Sequence, residues 1–348
     1  MYGSRRSIAD GRLALPPAGD AREFHVLPAR YPCLVGIAFP PVTCAEFDAT
    51  ANLALLAGDR LDLLRTLPAG AARLVVSSPP YNVGKSYEQA LSTEDYVAAQ
   101  EATLTECVRV LAADGSICWQ VGNALAGSAR IVPIDCLLWP VFERLGLKLR
   151  NRIAWTFGHG EHCKLRLSPR YETVLWFTKT DDYVFDVDPI RVPQKYPGKK
   201  AFRGPRAGQY VCNPLGKNPG DVWEIPNVKS AHPEKTEHPC QFPVELIERL
   251  VLALTKPGDL VVDPYCGVGS ALVAALKHGR RAAGSDLSRR YVEIARERIS
   301  SLARGELPMR AMGTPLLDPR NAGAVGRRPA AWDAAERVPS LFDPRSPS

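Results

Sequence analysis

The sequence predicts an α/β fold built on a mostly parallel, Rossmann-like sheet. Two short apolar runs, residues 74–77 and 260–263, have the length and composition of strands that are buried on both faces. Each run ends at a turn rich in proline or glycine, and a helical pattern follows further along the chain. Alternating strands and helices are typical of parallel sheets, which bind ligands beyond the carboxyl ends of their strands.

Local end signals define the other elements. Gly58-Asp59 ends the first strand, and Asp114-Gly115 has the composition of a turn before a later one. Ser92 and Asp95 resemble a capping box at a helix start, whereas Pro243 suits the first turn of another helix. The predicted strands cover residues 53–56, 74–77, 116–121, 148–157, 171–178, 260–263 and 282–285, and the predicted helices cover 61–67, 92–111, 133–145, 243–254, 271–278 and 291–302.

The composition is that of a soluble, cytoplasmic protein. The chain has 348 residues, of which 45% are hydrophobic, and no run approaches the apolar length of a membrane span. The formal net charge of +7 permits a nucleic-acid partner without requiring one. The nine cysteines are scattered, as expected for reduced thiols. His159, His162 and Cys163 lack a second cluster at ligand spacing, so we predict no metal site.

The turn Ser78-Pro79-Pro80-Tyr81 is the first candidate for chemistry. Two prolines stop a buried strand and stiffen the backbone, because neither can donate to a sheet ladder. Main-chain carbonyls, the Ser78 hydroxyl and the flat Tyr81 ring would then face one crevice and could hold a planar base by its amino group. The alternative is an ordinary exit from a strand into a loop.

The turn after residue 263 is the second candidate. Asp263, Gly267, Gly269 and Asp286 occur in a strand, glycine turn, helix, strand and acid order that is typical of half a nucleotide-binding unit. The glycines let a ligand approach the backbone, and the final acid suits ribose hydroxyls. Val273 stands near the third glycine of the dinucleotide pattern, which favours a smaller adenosine-bearing ligand over NAD.

A basic stretch lies between Asp188 and Asp221 and contains no acid. Aromatic residues are interleaved with the basic ones, a composition that suits contact with phosphates and bases. The alternative is a solvated, flexible insertion. The residues that we predict to bind DNA are Lys195, Lys199, Lys200, Arg203 and Arg206.

Together, Ser78-Pro79-Pro80-Tyr81 and the segment from Asp263 to Ser270 resemble the amino-methyltransferases of DNA. This family transfers methyl from S-adenosylmethionine to the exocyclic nitrogen of cytosine or adenine. The order of the two motifs resembles the circularly permuted β group. The resemblance implies an S-adenosylmethionine-dependent methyltransferase fold with a target-recognition insert, and double-stranded DNA as partner. It also leaves room for a cognate restriction endonuclease.

The resemblance divides the chain into five parts and assigns roles by motif. We expect an arm at 1–48, a catalytic part at 49–187, the insert at 188–222, a cofactor part at 223–304 and a disordered tail at 305–348. Residues 83–91 have the composition of a mobile flap. Helix capping is the alternative role for Asp59. The expected cofactor-binding residues are Asp59, Gln241, Pro243, Asp263, Pro264, Tyr265, Gly267, Gly269, Ser270 and Asp286.

The expected chemistry is direct transfer to a base that has been flipped out of the duplex. Tyr81 would stack on the base, while Ser78 and the Pro79 carbonyl accept hydrogen bonds from its amino group. Within the family a leading serine occurs more often with cytosine, so cytosine N4 is favoured over adenine N6.

Three other functions are weighed against this interpretation. Pro239-Cys240-Gln241 imitates the nucleophile of carbon-5 cytosine methyltransferases, but it precedes the cofactor strand and is therefore misplaced. An RNA methyltransferase and a non-catalytic nucleic-acid-binding module remain as alternatives.

Overall fold

The computed structural model describes residues 24–27, 52–82, 91–126, 130–158, 160, 162–229 and 231–316. These ranges contain a nine-stranded sheet, a separate two-stranded hairpin and six α-helices. The strands are β1 (Phe24–Leu27), β2 (Leu53–Ala57), β3 (Ala72–Ser77), β4 (Leu111–Val121), β5 (Asn123–Ala126), β6 (Arg130–Pro133), β7 (Lys148–Thr156), β8 (Tyr171–Thr178), β9 (Val222–Glu224), β10 (Leu260–Asp263) and β11 (Arg281–Asp286). The helices are α1 (Arg60–Thr66), α2 (Thr93–Val110), α3 (Ile134–Arg144), α4 (Val244–Leu254), α5 (Ser270–Lys277) and α6 (Arg289–Ala303).

The large sheet has the order β1-β2-β11-β10-β3-β4-β8-β7-β9. Its five central strands, β2, β11, β10, β3 and β4, are parallel to one another. β1 pairs antiparallel with β2, and β8 pairs antiparallel with both β4 and β7. The predicted mostly parallel sheet is therefore confirmed. Its consequence is that β2, β11, β10 and β3 all end at one edge, although β10 and β11 come from the far end of the chain.

Both faces of the sheet are covered. Leu53 and Leu55 of β2 lie in one buried cluster, whereas Ala54 and Leu56 lie in the other, as the two-residue period of a strand requires. Helices α4, α5 and α6 contribute to the first cluster, and α1, α2 and α3 contribute to the second. This double burial explains the continuous apolar runs of the parallel strands. Across the described ranges, no helix is long and apolar enough to cross a membrane.

All predicted strands and helices lie within two residues of the observed bounds except the strand predicted at 116–121. The turn predicted at Asp114-Gly115 is wrong, because β4 already begins at Leu111 and continues through both residues. A Cβ at Gly115 would lie 2.9 Å from the Arg73 carbonyl oxygen. The glycine therefore allows the two backbones to approach where the register between β3 and β4 shifts, and the strand continues.

Four short strands were not predicted. β1, inside the expected arm, adds an antiparallel edge to β2, while β5 and β6 form the separate hairpin. β9 pairs in parallel with β7 and returns the chain to the sheet at the end of the basic insert. Strands of three or four residues carry too little periodicity to stand out in a sequence.

The expected disordered tail does not begin at residue 305. Leu307 and Met309 pack against the buried cluster that includes α4. The Arg310 guanidinium forms an ion pair with the buried Glu245 of α4, and its backbone N–H donates to Glu234 over 3.2 Å. The expectation for 317–348 lies outside the described residues, as do residues 83–90 of the expected flap and most of the expected arm.

Candidate active site

The two candidate motifs meet at the carboxyl edge of neighbouring strands. Ser77, the last residue of β3, donates its hydroxyl to Asp263 Oδ1 at the end of β10 over 2.5 Å. Both side chains are fully buried. The turn that begins at Ser78 and the glycine turn that follows Asp263 therefore emerge side by side.

Asp263 is an electrostatically unusual group. Its Oδ1 also accepts from the Tyr265 backbone N–H over 3.1 Å, whereas no described residue hydrogen-bonds to its buried Oδ2. Burial raises the pKa of Asp263 to about 7, in spite of the two donors to Oδ1. The site therefore contains an oriented carboxyl group, one oxygen of which is not hydrogen-bonded within the described part of the chain.

Asp286 holds the glycine turn from the neighbouring strand. Its Oδ2 accepts from the Gly267 N–H over 3.1 Å, and its Oδ1 accepts from the Ser288 N–H over 2.8 Å. Burial raises the pKa of this carboxyl as well. Gly269 has φ of 76°, and a Cβ there would lie 2.9 Å from the Ala295 Cβ. Glycine is required at this position both by conformation and by the close approach of α6.

His238 covers the other side of this turn. A Cβ on Gly267 would lie 3.3 Å from the imidazole Nε2, and the His238 and Tyr291 rings are 4.5 Å apart. Burial lowers the pKa of His238 to about 4, so the ring is neutral at pH 7. Sequence reasoning placed this segment near the cofactor without assigning a contact to the imidazole itself.

Gln241 and Pro243, two expected cofactor residues, shape the same segment. The Gln241 amide oxygen accepts from the Thr236 hydroxyl over 2.8 Å, and its nitrogen donates to the Glu234 carbonyl over 2.8 Å. Both ends of the amide therefore have partners within the segment that precedes α4. Pro243 is the buried residue at the start of that helix.

The other expected cofactor residues have structural contacts. Asp59 caps α1 by accepting from the Leu61 N–H over 2.8 Å, which is the alternative role considered for it, and it pairs with Arg60. The Tyr265 hydroxyl lies 3.1 Å from that of Thr103. Two contacts complete the set: Ser270 Oγ accepts from Arg298, and the Pro264 carbonyl accepts from Ser285.

Tyr81 lies in a chain of hydrogen bonds at the proline turn. Its hydroxyl donates to Glu172 Oε2 over 3.2 Å and lies 3.3 Å from Ser78 Oγ. The Gln120 amide nitrogen donates to the same glutamate oxygen. A Cβ on Gly122 would lie 3.0 Å from the Tyr81 ring, so the ring packs against the backbone after β4.

The surroundings disfavour the charged forms of both Glu172 and Tyr81. Burial raises the pKa of Glu172, which nonetheless has two donors. Burial, and next the charge of Glu172, raise the pKa of Tyr81 well above its usual value. The tyrosine is therefore a neutral donor at any physiological pH.

Glu172 and Gln120 are site residues that sequence reasoning missed. Glu172 is the second residue of β8, and Gln120 lies near the end of β4. The only signal in the sequence was a carboxylate beside an apolar strand, which is common at strand ends. Only the antiparallel pairing of β4 with β8 brings both residues to Tyr81.

Asn82 closes the proline turn and fastens the next segment of the chain. Its φ is 57°, in the left-handed region that asparagine tolerates. Its amide nitrogen donates to the Leu91 carbonyl over 2.8 Å, and its amide oxygen accepts from the Leu91 N–H over 2.9 Å. The chain thus leaves and returns at one point. In addition, the Tyr96 hydroxyl of α2 donates to the Pro80 carbonyl over 3.0 Å.

The basic insert exposes its cations. All five residues predicted to bind DNA, Lys195, Lys199, Lys200, Arg203 and Arg206, are exposed. Three of its cations lie over aromatic rings, in the pairs Lys195–Tyr196, Lys200–Tyr210 and Arg203–Phe202. Those rings are themselves between 65% and 87% exposed. Isolated bridges such as Val192–Lys217 give the insert its local order.

No group of three or more metal-ligating side chains occurs in the part of the chain that the structure describes. His159, one member of the trio considered in the sequence, lies outside that part.

Comparison with known sequences shows a match between this chain and a protein family. A family model described as DNA methylase, of the N6 and N4 type, matches residues 72–297. The type II methyltransferase M.BglII of Bacillus subtilis is 44% identical over 243 residues, which cover 70% of this chain and 68% of that protein. The DNA adenine methyltransferase YhdJ of Escherichia coli K12 is 29% identical over 251 residues, which cover 70% and 82%.

Solved structures share the fold. The PvuII DNA methyltransferase, cytosine-N4-specific, aligns with a TM-score of 0.58 at 22% identity and covers 75% of this chain and 95% of that one. The Thermus thermophilus protein TTHA0409, complexed with S-adenosyl-L-methionine, aligns with a TM-score of 0.50 at 25% identity and covers 74% and 98%. At this identity, the PvuII likeness concerns the fold alone.

From the raised pKa of Asp263 we predict how the stability of the fold changes with pH. Between about pH 4 and pH 7 the folded carboxyl keeps a proton that the unfolded chain has lost, so raising the pH favours unfolding. Relative to Asp263→Asn, the ligand-free wild type should therefore lose stability across this window, by at most about 4 kcal/mol, and level off above it. Urea unfolding at a series of pH values measures the difference. The exposed Asp182→Asn variant is the matched control and should track the wild type; a flat difference for Asp263→Asn would contradict the prediction.

Proposed function

Because this chain belongs to the family of N6 and N4 DNA methylases, we propose that it transfers methyl from S-adenosylmethionine to the N4 amino group of cytosine in duplex DNA. The observation that carries the proposal is the buried hydrogen bond between Ser77 and Asp263. It joins the turn that would receive the base to the turn that would receive the cofactor.

The residues around the glycine turn fit the cofactor of this family. The unsatisfied Oδ2 of Asp263 suits an ammonium group such as that of the methionine end. Gly267 and Gly269 give the turn its positive φ angles, so that its backbone can bend around a ligand, and the carboxyl of Asp286 would accept hydrogen bonds from ribose hydroxyls. When bound, S-adenosylmethionine supplies an electrophilic methyl group on a sulfonium.

The proline turn would activate the nucleophile. An exocyclic amino group is a poor nucleophile, because its lone pair is delocalised into the ring. Ser78 Oγ and the Pro79 carbonyl accept hydrogen bonds from this group, which favours a tetrahedral nitrogen with a localised lone pair. Tyr81 stacks on the flipped base and fixes its plane, so that rate comes from position and electrostatics without a covalent intermediate.

Ser78 supports cytosine over adenine. In the resembling family, a leading serine occurs more often with cytosine, while a leading aspartate, which accepts a stronger charge-assisted bond, occurs more often with adenine. Adenine N6 is the second candidate, because one relative at 29% identity is named a DNA adenine methyltransferase.

The basic insert is the proposed contact to DNA. Five exposed cations with interleaved exposed aromatic rings suit binding to phosphates and bases. A cognate restriction endonuclease is proposed as a second partner, because the M.BglII relative is a type II methyltransferase.

The proposal is tested by the modified nucleosides that the protein makes. Expressed in cells without DNA methylation, it should produce N4-methylcytosine, which mass spectrometry of digested DNA detects. Sequencing the modified positions would then give the recognition site. N6-methyladenine would contradict the choice of cytosine but preserve the fold and cofactor. A cofactor-binding protein that modifies no DNA would favour an RNA substrate or a binding module.

Replacing Tyr81 tests whether this residue acts on the base or on cofactor binding. Because stacking of a base on an aromatic ring contributes about 1–3 kcal/mol, Tyr81→Ala should lower turnover at least about tenfold. The Kd for S-adenosylmethionine, measured by calorimetry, should change little, because the glycine turn is held independently by Asp286. Equal losses in turnover and cofactor binding would show instead that Tyr81 is merely structural.

A further inference from the structure

We infer that Glu172 is a positioning residue of the transfer reaction and acts through the Tyr81 hydroxyl on Ser78. The inference rests on the proposed function only in requiring that Ser78 accepts a hydrogen bond from an exocyclic amino group. It applies equally to cytosine and adenine.

The hydrogen bonds at Glu172 have a defined direction. The Gln120 amide nitrogen donates to Glu172 Oε2. The hydrogen bonds from Gln120 and Tyr81 oppose the effect of burial and favour the ionised carboxylate, which can only accept. The Tyr81 proton must therefore point towards Glu172, over 3.2 Å. The tyrosine oxygen then accepts from Ser78, whose Oγ lies 3.3 Å away, and it also has a hydrogen bond with the Gln120 side chain.

This direction determines what Ser78 offers to a base. A serine hydroxyl has one proton and two acceptor sites, and it can rotate to suit either role. With its proton committed to Tyr81, Ser78 presents only lone pairs to the turn. Glu172 thus converts an ambiguous hydroxyl into an acceptor, which is what an amino group requires.

An ordinary structural role explains Glu172 poorly. Among the described residues, its carboxylate takes part in no ion pair, although the positive charge of Lys229 lowers its pKa. Burying a carboxylate without a cation partner is costly unless hydrogen bonds compensate. The donors here are Gln120 and Tyr81, one of which is a residue of the candidate catalytic turn.

A double-mutant cycle tests this inference on the full-length protein with duplex DNA. Glu172→Gln and Tyr81→Phe should each lower kcat about tenfold, because an amide no longer fixes the direction and phenylalanine breaks the chain. The KM for DNA and the Kd for S-adenosylmethionine should change less than twofold. The double variant should be no slower than Tyr81→Phe alone, since Glu172 acts through that hydroxyl.

The controls keep the outcome decisive. Glu143→Gln, at an exposed glutamate of α3, should match the wild type. Unchanged kcat in either single variant, or multiplying effects in the double variant, would overturn the inference. If Glu172→Gln fails to fold, Tyr81→Phe still tests the same chain. An active wild type that methylates adenine would contradict the proposed base while leaving this cycle measurable.

The geometry also points to a DNA-inserting wedge in the loop between β7 and β8. Leu165 and Leu167 are 96% and 94% exposed, above every other large apolar side chain of the described residues. They alternate with the basic residues Lys164 and Arg166. A single exposed leucine is ordinary at a protein surface. Two leucines that alternate with cations, however, combine apolar tips that can enter between bases with charges that suit a phosphate backbone.

The position of this loop indicates which part of the DNA its leucines would contact. Because β8 is antiparallel to β4, the loop returns to the sheet at the edge where the proline turn lies. Glu172, the second residue after the loop, contacts Tyr81. Apolar side chains commonly enter a duplex between base steps, and a flipped base leaves such a space. We assign Leu165 and Leu167 to that space, and this assignment rests on the proposed action on duplex DNA.

Mispaired substrates test the wedge. On a duplex with the paired target base, the double variant Leu165→Ala, Leu167→Ala should lose about tenfold in kcat/KM. On the same duplex with the target mispaired it should lie within twofold of the wild type, because extrusion then costs less. Lys164→Ala, which removes a cation and leaves both leucines in place, should lower kcat/KM equally on both duplexes. No loss, or equal loss on both duplexes in the leucine variant, would overturn the wedge. A wild type that modifies neither duplex would instead count against the proposed function.

Discussion

The hydrogen bond between Ser77 and Asp263 is the contact on which the site depends. It joins residues that are 186 positions apart in the chain, at the ends of adjacent parallel strands. The bond is buried, so no water competes for it, and loss of either partner would leave a polar group unsatisfied. Its formation requires β10 to enter the sheet beside β3. The order of the motifs along the chain therefore matters less than the shared edge at which their strands end.

Around this contact, most carboxylates accept hydrogen bonds from other groups of the protein. Asp286 accepts from the glycine turn, Asp59 caps α1, and Glu172 accepts a hydrogen bond from the Tyr81 hydroxyl. Each holds a backbone or hydroxyl group in one orientation before any ligand arrives. Such preorganisation lowers the free-energy cost of ordering the site during the reaction. Asp263 differs, since one of its oxygens has no hydrogen-bond partner among the described residues.

The sequence predicted most of the fold because its elements carry strong local signals. Long amphipathic helices stand out by their period, doubly buried strands by their continuous apolar runs, and the proline and glycine turns by composition. Glu172 could not be found in this way, because its role arises only when β8 pairs with β4. Gly115 misled for a related reason. Glycine before a strand usually marks a turn, whereas here it serves close contact with Arg73.

The reciprocal pair of hydrogen bonds between Asn82 and Leu91 has a consequence for how this protein can diversify. When the two ends of a segment are hydrogen-bonded to each other, a change in its length has little effect on the chain on either side. The clamp fixes the point at which the chain leaves the rigid turn and the point at which it returns ahead of α2. A change in the number of residues between Asn82 and Leu91 therefore leaves the framework on either side of the clamp in place.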